Sequence, residues 1–386
     1  MEFSFTRRLQ ELPPYLFLEI DKAKRKARQE GRDIIDLGIG DPDLPTPQFI
    51  IDALSKAAND PANHRYALDQ GMPALRQAIS RWYLQRFNVV LDPDTEVLPL
   101  IGSKEGIAHF PLAFINPGDV VLVPDPCYPP YKGGAIFAGG KLHLMPLLRK
   151  NNFLPDFKKI PAGKLKKAKV LYLNYPNNPT GAVCGVEFFR EAVEFCRRNN
   201  LILLSDLAYS EMAYDGFRPP SVFEVEGAKE LAIEFHSLSK TYNMTGWRAG
   251  WACGNKNLVA GLAKVKSNLD SGIFSAIQLA ACAALNSDDS HIQKMCGIYQ
   301  ERRDSLVYGL RALGWKVQKP KATFYIWAPL PRGRKSIEFC GELLDKANLV
   351  VTPGVGFGKY GEGYIRFALT VPVERMKEAL DRLKKI

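Results

Sequence analysis

Cysteine is sparse and scattered: seven among 386 residues, at Cys127, Cys184, Cys196, Cys253, Cys282, Cys296 and Cys340, with no Cys-x-x-Cys spacing. An odd set without paired spacing makes neither a disulfide framework nor a zinc ribbon, so reduced thiols, a cytoplasmic protein and no metal site are expected. No apolar run reaches the ~18–20 residues that cross a bilayer, so no membrane partner is expected. The opening Met1 to Arg8 is followed by no apolar stretch with a small-residue cleavage site, which argues against a secretory signal. Internal repeats and low-complexity tracts are missing too, which removes solenoids and disordered linkers.

What is present is an ordinary globular composition, 46% hydrophobic and 24% charged. The length suggests two domains or one large α/β unit with a full core. The net charge of +11, from 52 Lys plus Arg against 41 Asp plus Glu, first suggests an anionic partner. The excess gathers in Lys22 to Arg28, Lys158 to Lys169 and Lys384-Lys385. Leu16, Ile20, Ala23 and Ala27 recur at helical spacing around the first cluster, which makes its cations the wet face of an amphipathic helix. Within the second, Lys164-Leu165-Lys166-Lys167 follows Pro161 and Gly163, precedes a strand and reads as a surface turn or short helix. No aromatic residues interleave these patches, so no nucleic-acid partner is expected.

The middle of the chain alternates short apolar runs with longer helical stretches. Strands are expected at Val97 to Ile101, Val120 to Val123, Lys141 to Met145, Val170 to Asn174, Leu201 to Ser205, Ile233 to His236 and Gly250 to Cys253. Most are continuously apolar, as buried strands of a mainly parallel sheet should be. Helices are expected at Gly106 to Ala113, Val186 to Arg198 and Leu258 to Val265. The expected fold class is α/β: a three-layer α/β/α large domain over residues 47–289 with a seven-stranded, mainly parallel sheet. Residues 1–46 together with 290–386 would form a smaller α+β domain.

Ligands of such sheets bind beyond the carboxyl ends of the strands, and those ends are rich here. Ile101 is followed by Gly102-Ser103-Lys104-Glu105-Gly106, a turn opening a helix that offers backbone N–H groups and a hydroxyl to an anion. Val123 is followed by Pro124-Asp125-Pro126-Cys127-Tyr128, which puts an aromatic ring at the rim. Asn174 to Gly181 brings Asn178-Pro179, Ser205 is followed by Asp206 and Tyr209, and Phe235 by His236-Ser237-Leu238-Ser239-Lys240 with Arg248 beyond. Singly these are weak: Asp206 reads equally as a helix N-cap, Asn178-Pro179 as a turn and Lys240 as a surface lysine. Together they supply what pyridoxal phosphate needs: a lysine for the Schiff base, a carboxylate for the pyridinium nitrogen, donors for the phenolic oxygen, and cations and hydroxyls for the phosphate.

Ser237-Leu238-Ser239-Lys240-Thr241-Tyr242-Asn243-Met244-Thr245-Gly246-Trp247-Arg248-Ala249-Gly250 resembles the lysine motif of class I/II pyridoxal-phosphate aminotransferases, the aspartate-aminotransferase-like fold type I group. Asn178-Pro179-Thr180-Gly181, the pair Asp206 and Tyr209, and Tyr364-Ile365-Arg366-Phe367 extend the resemblance over nearly the whole chain in the family's order. It implies pyridoxal 5'-phosphate as cofactor, with Lys240, Asp206 and Tyr209 catalytic. Lys240 would carry the cofactor and then move a proton between substrate α-carbon and cofactor. Asp206 would keep the ring nitrogen protonated, while Asn178 and Tyr209 would bond the phenolic oxygen. Ser103, Lys104, Ser237, Ser239 and Arg248 would hold the phosphate, Tyr128 would stack on the ring, and Arg366 would clamp the substrate α-carboxylate. Tyr66, in His64-Arg65-Tyr66-Ala67-Leu68-Asp69-Gln70-Gly71, matches the tyrosine that reaches the neighbouring subunit's phosphate, which implies a homodimer with shared sites.

Leu37 to Pro47, Ile101 to Phe110 and Lys266 to Phe274 are similar to the LL-diaminopimelate aminotransferases within that family. The implied reaction moves an amino group between 2-oxoglutarate and tetrahydrodipicolinate in lysine biosynthesis, with Tyr15, Gly40, Lys104, Tyr128, Asn178 and Arg366 facing the substrate. Ala67-Leu68-Asp69-Gln70 and Leu204-Ser205 depart from that pattern. The alternatives are an aminotransferase of aspartate, alanine or aromatic amino acids, and a β-lyase. A dinucleotide dehydrogenase is disfavoured because Gly38-Ile39-Gly40-Asp41-Pro42-Asp43 lacks the third glycine. A transcription regulator would need a DNA-binding module ahead of the strand-rich core, and the residues there are too few.

Overall fold

Strands that are apolar on both faces must be covered on both sides, and the central sheet shows this. The computed structural model describes residues 3–13, 16–67, 69–331 and 333–386. After a short β1 (Ile35–Asp36), the chain forms β2 (Val97–Leu100), β3 (Val120–Asp125), β4 (Lys141–Pro146), β5 (Ala168–Asn174), β6 (Ile202–Asp206), β7 (Ala232–Ser237) and β8 (Gly250–Gly254). β2 to β8 make a seven-stranded sheet in the order β2-β8-β7-β6-β5-β3-β4. Only β8 runs antiparallel to its neighbours. Val121, Val123, Val170, Tyr172, Leu204 and Ile233 enter one apolar cluster, while Leu122, Leu171, Leu173 and Leu203 enter another on the opposite face. That alternation is the three-layer arrangement.

The register lines up the strand ends. Asn174 lies opposite Asp206, and Gly250 lies opposite both Leu100 and Ser237. The turn after β2 and the end of β7 therefore meet across the first residue of β8. The expected strands and helices are all present with small shifts. The helix read from Gly106 runs Ser103–Phe114, so Ser103 belongs to its first turn rather than to the turn before it.

The remaining strands are β9 (Tyr325–Pro329), β10 (Leu349–Val350), β11 (Thr352–Pro353) and β12 (Tyr364–Ala368). β1 pairs with β10, and β11-β12-β9 form an antiparallel sheet. Their apolar residues share a cluster with the helices Ser290–Ala312, Ser336–Ala347 and Val373–Leu383, for example Leu306, Phe324, Ile326, Leu343, Phe367 and Met376. Ala208, Tyr209, Met212 and Tyr214, which follow β6, pack into this same cluster. The end of the central strand is thereby tied to the terminal segments.

One charge expectation is corrected. Lys22, Arg25, Lys26 and Arg28 are exposed on the helix Leu16–Gln29, but Lys24 is buried and pairs with Asp21 at 3.2 Å and Asp36 at 3.0 Å. Two carboxylates neutralise its ammonium, which turns it inward. Ala23, expected on the apolar stripe, is exposed, Ile20 is half-buried and Ala27 is buried. The cations between Lys158 and Lys169, and Lys384-Lys385, are exposed as expected. All seven cysteines are free, and burial pushes the Cys127 thiol up to about 12. No helix among the described residues is long and apolar enough to cross a membrane.

Candidate active site

A cavity of about 560 Å³ opens at the carboxyl edge of the sheet, lined on one side by Ser103, Ser237, Ser239, Thr245 and Arg248. Gly102 has φ +74°, and a Cβ there would stand 2.4 Å from the Arg248 guanidinium. A Cβ on Gly250 would stand 2.7 Å from the His236 carbonyl and 2.8 Å from the Ser103 nitrogen. These glycines let the helix start, the β7 end and the arginine converge. Arg248 is itself at φ +58° and donates to the Thr245 carbonyl at 2.9 Å. Ser237 caps the short helix Leu238–Thr241 by accepting the Ser239 N–H at 3.2 Å. Helix-start amides, hydroxyls and a guanidinium in one cradle suit a phosphate.

Behind this cradle the Glu105 carboxylate accepts the Ile101 N–H at 2.6 Å and pairs with Lys266 at 3.3 Å. Lys266 is 1% exposed and also pairs with Asp270 at 2.5 Å. Burial raises the Glu105 carboxyl to about 7 against the pull of Lys266. Glu105, His109 and Asp270 have the spacing of metal ligands, but Lys266 already pairs with both carboxylates, and the group ties the turn to the loop after helix Lys256–Lys266.

Asp206 ends β6, 4% exposed. It accepts the Tyr131 hydroxyl at 2.6 Å and the Ala208 N–H at 3.3 Å, so it caps the local turn as well. Burial nevertheless raises its carboxyl to about 6; a cation beside it would draw it back to the carboxylate. Lys240 donates to the Gly40 carbonyl at 3.0 Å. Burial, helped by Arg366 and Arg248 and opposed by Asp41, lowers its ammonium to about 8. An amine that loses its proton this easily is a usable nucleophile and base.

Arg366, 3% exposed on β12, donates to Asn178 Oδ1 and to the Gly38 carbonyl, both at 2.8 Å. Its guanidinium lies 4.1 Å from the Tyr325 ring and 4.7 Å from the Phe357 ring, and its Nε has no partner among the described residues. An arginine packed against two aromatic rings, with no carboxylate paired to it among the described residues, is prepared for an incoming one.

The sequence profile described as aminotransferase class I and II matches residues 32–383. The chain belongs to the class I and II aminotransferases. It is 55% identical over 384 residues to the LL-diaminopimelate aminotransferase of Desulforudis audaxviator, spanning 100% of this chain and 98% of that one. It is 56% identical over 378 residues to the enzyme of that name from Dehalococcoides mccartyi, covering 98% and 97%. Among solved structures, substrate-bound BacF from Bacillus subtilis superposes with a TM-score of 0.96 at 39% identity, over 100% and 98% of the two chains. A Thermus thermophilus aspartate aminotransferase variant gives 0.93 at 28% identity, over 100% of both.

This aminotransferase is pyridoxal-phosphate-dependent, and its cavity fits that group. The cradle suits a phosphate, Asp206 is a buried carboxylate that accepts from the Tyr131 hydroxyl and the Ala208 N–H, and Lys240 carries a softened amine. Of the residues expected at the site, Gly40, Ser103, Lys104, Tyr128, Asn178, Asp206, Tyr209, Ser237, Ser239, Lys240, Arg248 and Arg366 all line the one cavity. Tyr66 does not line it: its side chain stands on the surface, 92% exposed. Tyr15, and Leu68 in the departing segment, lie outside the described residues. Asp41, Tyr131, Tyr325 and Phe357 belong to the site's surroundings and were not anticipated. Tyr131 could have been suspected one helical turn after Tyr128; Tyr325, inside the apolar run Phe324-Tyr325-Ile326-Trp327, had no motif to signal it.

Proposed function

We propose that this aminotransferase exchanges the amino group of LL-diaminopimelate with 2-oxoglutarate, in the lysine-forming direction onto tetrahydrodipicolinate, and works in the cytoplasm as a homodimer with shared sites. The observation that carries the substrate is identity of 55% and 56% over essentially full length to enzymes of that name. Lys104 supports it from the cavity wall, as the cation left once Lys240, Arg248 and Arg366 are assigned. The bare Tyr66 ring supports the dimer, because a large aromatic side chain left in water is the kind of group a second subunit covers. The apolar clusters support the division into residues 47–289 and 1–46 with 290–386, joined by the segment after β6, by Ile292 and by a small cluster of Leu147, Phe153, Trp327 and Phe357.

The cofactor supplies a carbonyl carbon for the amine and a ring that withdraws electrons from the substrate α-carbon. The chain supplies the rest. Ser103, the Lys104 amide, Ser237, Ser239 and Arg248 would anchor the phosphate, and Asp206 would keep the ring nitrogen protonated. Asn178 and Tyr209 would donate to the phenolic oxygen, and Tyr128 would stack on the ring. Arg366 would fix the α-carboxylate by a fork and so turn the α-hydrogen toward Lys240, whose amine would take that proton and deliver it to the cofactor carbon. Gly40 lines the substrate side. A panel of LL-diaminopimelate, aspartate, alanine, glutamate and phenylalanine against 2-oxoglutarate tests the reading: the highest kcat/KM belongs to LL-diaminopimelate, and a preference for another donor overturns it.

A further inference from the structure

Tyr325 opens β9 and is 2% exposed, yet it lines the cavity. Its hydroxyl is 3.0 Å from that of Tyr209. The Arg366 guanidinium rests on its ring at 4.1 Å. A Cβ on Gly40 would stand 2.0 Å from its hydroxyl, so that glycine leaves the slot the hydroxyl fills. The side chain is held from behind, because Phe324 packs on it with ring centroids 4.7 Å apart and its own N–H donates to Thr323 Oγ1 at 3.2 Å. The charged and titratable groups around it are Tyr209, Arg366, Asp41 and, across Gly40, Lys240.

A phenol has one proton to give. When Tyr209 gives its proton to the phenolic oxygen of the cofactor, its own oxygen can only accept from its neighbour, and that neighbour is Tyr325. The hydroxyl pair then has one polarity, Tyr325 to Tyr209 to cofactor, and a donor that is itself hydrogen-bonded from behind donates more strongly. We propose that Tyr325 is a positioning residue: its hydroxyl orients and strengthens Tyr209 as a donor to the cofactor, while its ring backs Arg366 for the substrate carboxylate. The proposal rests on the placement of Tyr209 against the phenolic oxygen, and the test separates the two.

The measurement is the pH midpoint of the visible absorbance of the holoenzyme, which reports the proton shared near the phenolic oxygen. Tyr209→Phe removes a hydrogen bond to a charged group and raises the midpoint by about 1–2 pH units. Tyr325→Phe, which keeps the ring, raises it by about 0.3 unit, because it removes only the cooperative share, and leaves the KM for the amino donor within about twofold. The double variant shows the Tyr209→Phe midpoint and no more, since Tyr325 acts through Tyr209. Tyr325→Leu, which removes the ring, raises KM by about fivefold or more through Arg366. An unmoved midpoint in Tyr209→Phe overturns the placement of Tyr209 and the proposal with it. A shift in Tyr209→Phe with none in Tyr325→Phe, or additive shifts in the double variant, overturns the role of Tyr325 alone.

Discussion

The burial that would let Asp206 serve the cofactor costs the empty protein stability, and Asp206→Asn makes this measurable. The carboxyl is raised from 3.8 to about 6 by burial, with the Tyr131 hydroxyl and the Ala208 N–H only partly offsetting it. A folded-state value above the unfolded one means that stability is fully present below the unfolded value and is lost as pH rises through the folded one. The shift is about two units, and at 1.36 kcal/mol each the penalty is on the order of 3 kcal/mol at pH 8 and about half that at pH 5. Asparagine keeps the shape and an acceptor for Tyr131 without the charge. Denaturant unfolding of the cofactor-free protein therefore finds Asp206→Asn more stable than wild type by roughly 3 kcal/mol at pH 8, with a gap about half as large at pH 5. Glu234, also raised to about 7 by burial, titrates in both proteins and cancels from the difference. With cofactor bound the order reverses, because the variant loses the anion that faces the ring nitrogen. An apoprotein variant no more stable than wild type at pH 8, or a gap that ignores pH, would refute the reasoning.

Other perturbations follow from the same contacts. Arg366→Ala leaves Asn178 Oδ1 and the Gly38 carbonyl without a buried donor and removes the carboxylate fork, so steady-state kinetics find kcat/KM lower by about 100-fold or more; Arg366→Lys recovers only part of it. Lys104→Ala lowers kcat/KM for LL-diaminopimelate, which has a distal carboxylate, about tenfold, and leaves alanine nearly unchanged; equal losses would remove Lys104 from substrate recognition. Lys266→Met strands the half-buried carboxylates Glu105 and Asp270 and lowers the unfolding free energy by about 2–3 kcal/mol at pH 8. The loss is smaller at pH 5, below the raised value of Glu105, where that carboxyl is already neutral.

The readable parts of the molecule were those in which one residue type answers to one physical demand. Continuous apolar runs such as Val170 to Asn174 can be satisfied only inside a covered sheet, and the glycine and hydroxyl residues at their ends only by a turn and an anion. What escaped depends on pairings between distant segments. Lys24 looks like any lysine of a basic helix until Asp36 is placed beside it. Tyr325 reads as one more apolar strand position, and its hydroxyl acquires a role only when β9 brings it to Tyr209. Asp41 is a similar case, set by neighbours that no local spacing encodes. Tyr66 is the reverse case: its motif was legible, while its side chain stands on the surface, clear of the cavity.

The central claim is that Lys240 and Arg366 present an amino acid to pyridoxal phosphate for transfer of its amino group. The most direct measurement is the absorbance of the holoenzyme mixed with LL-diaminopimelate in the absence of any keto acid. Amino transfer predicts stoichiometric replacement of the visible band by a near-ultraviolet pyridoxamine band, reversal on adding 2-oxoglutarate, and neither change in Lys240→Ala. Release of keto acid with the visible band intact, or full conversion in Lys240→Ala, would contradict it.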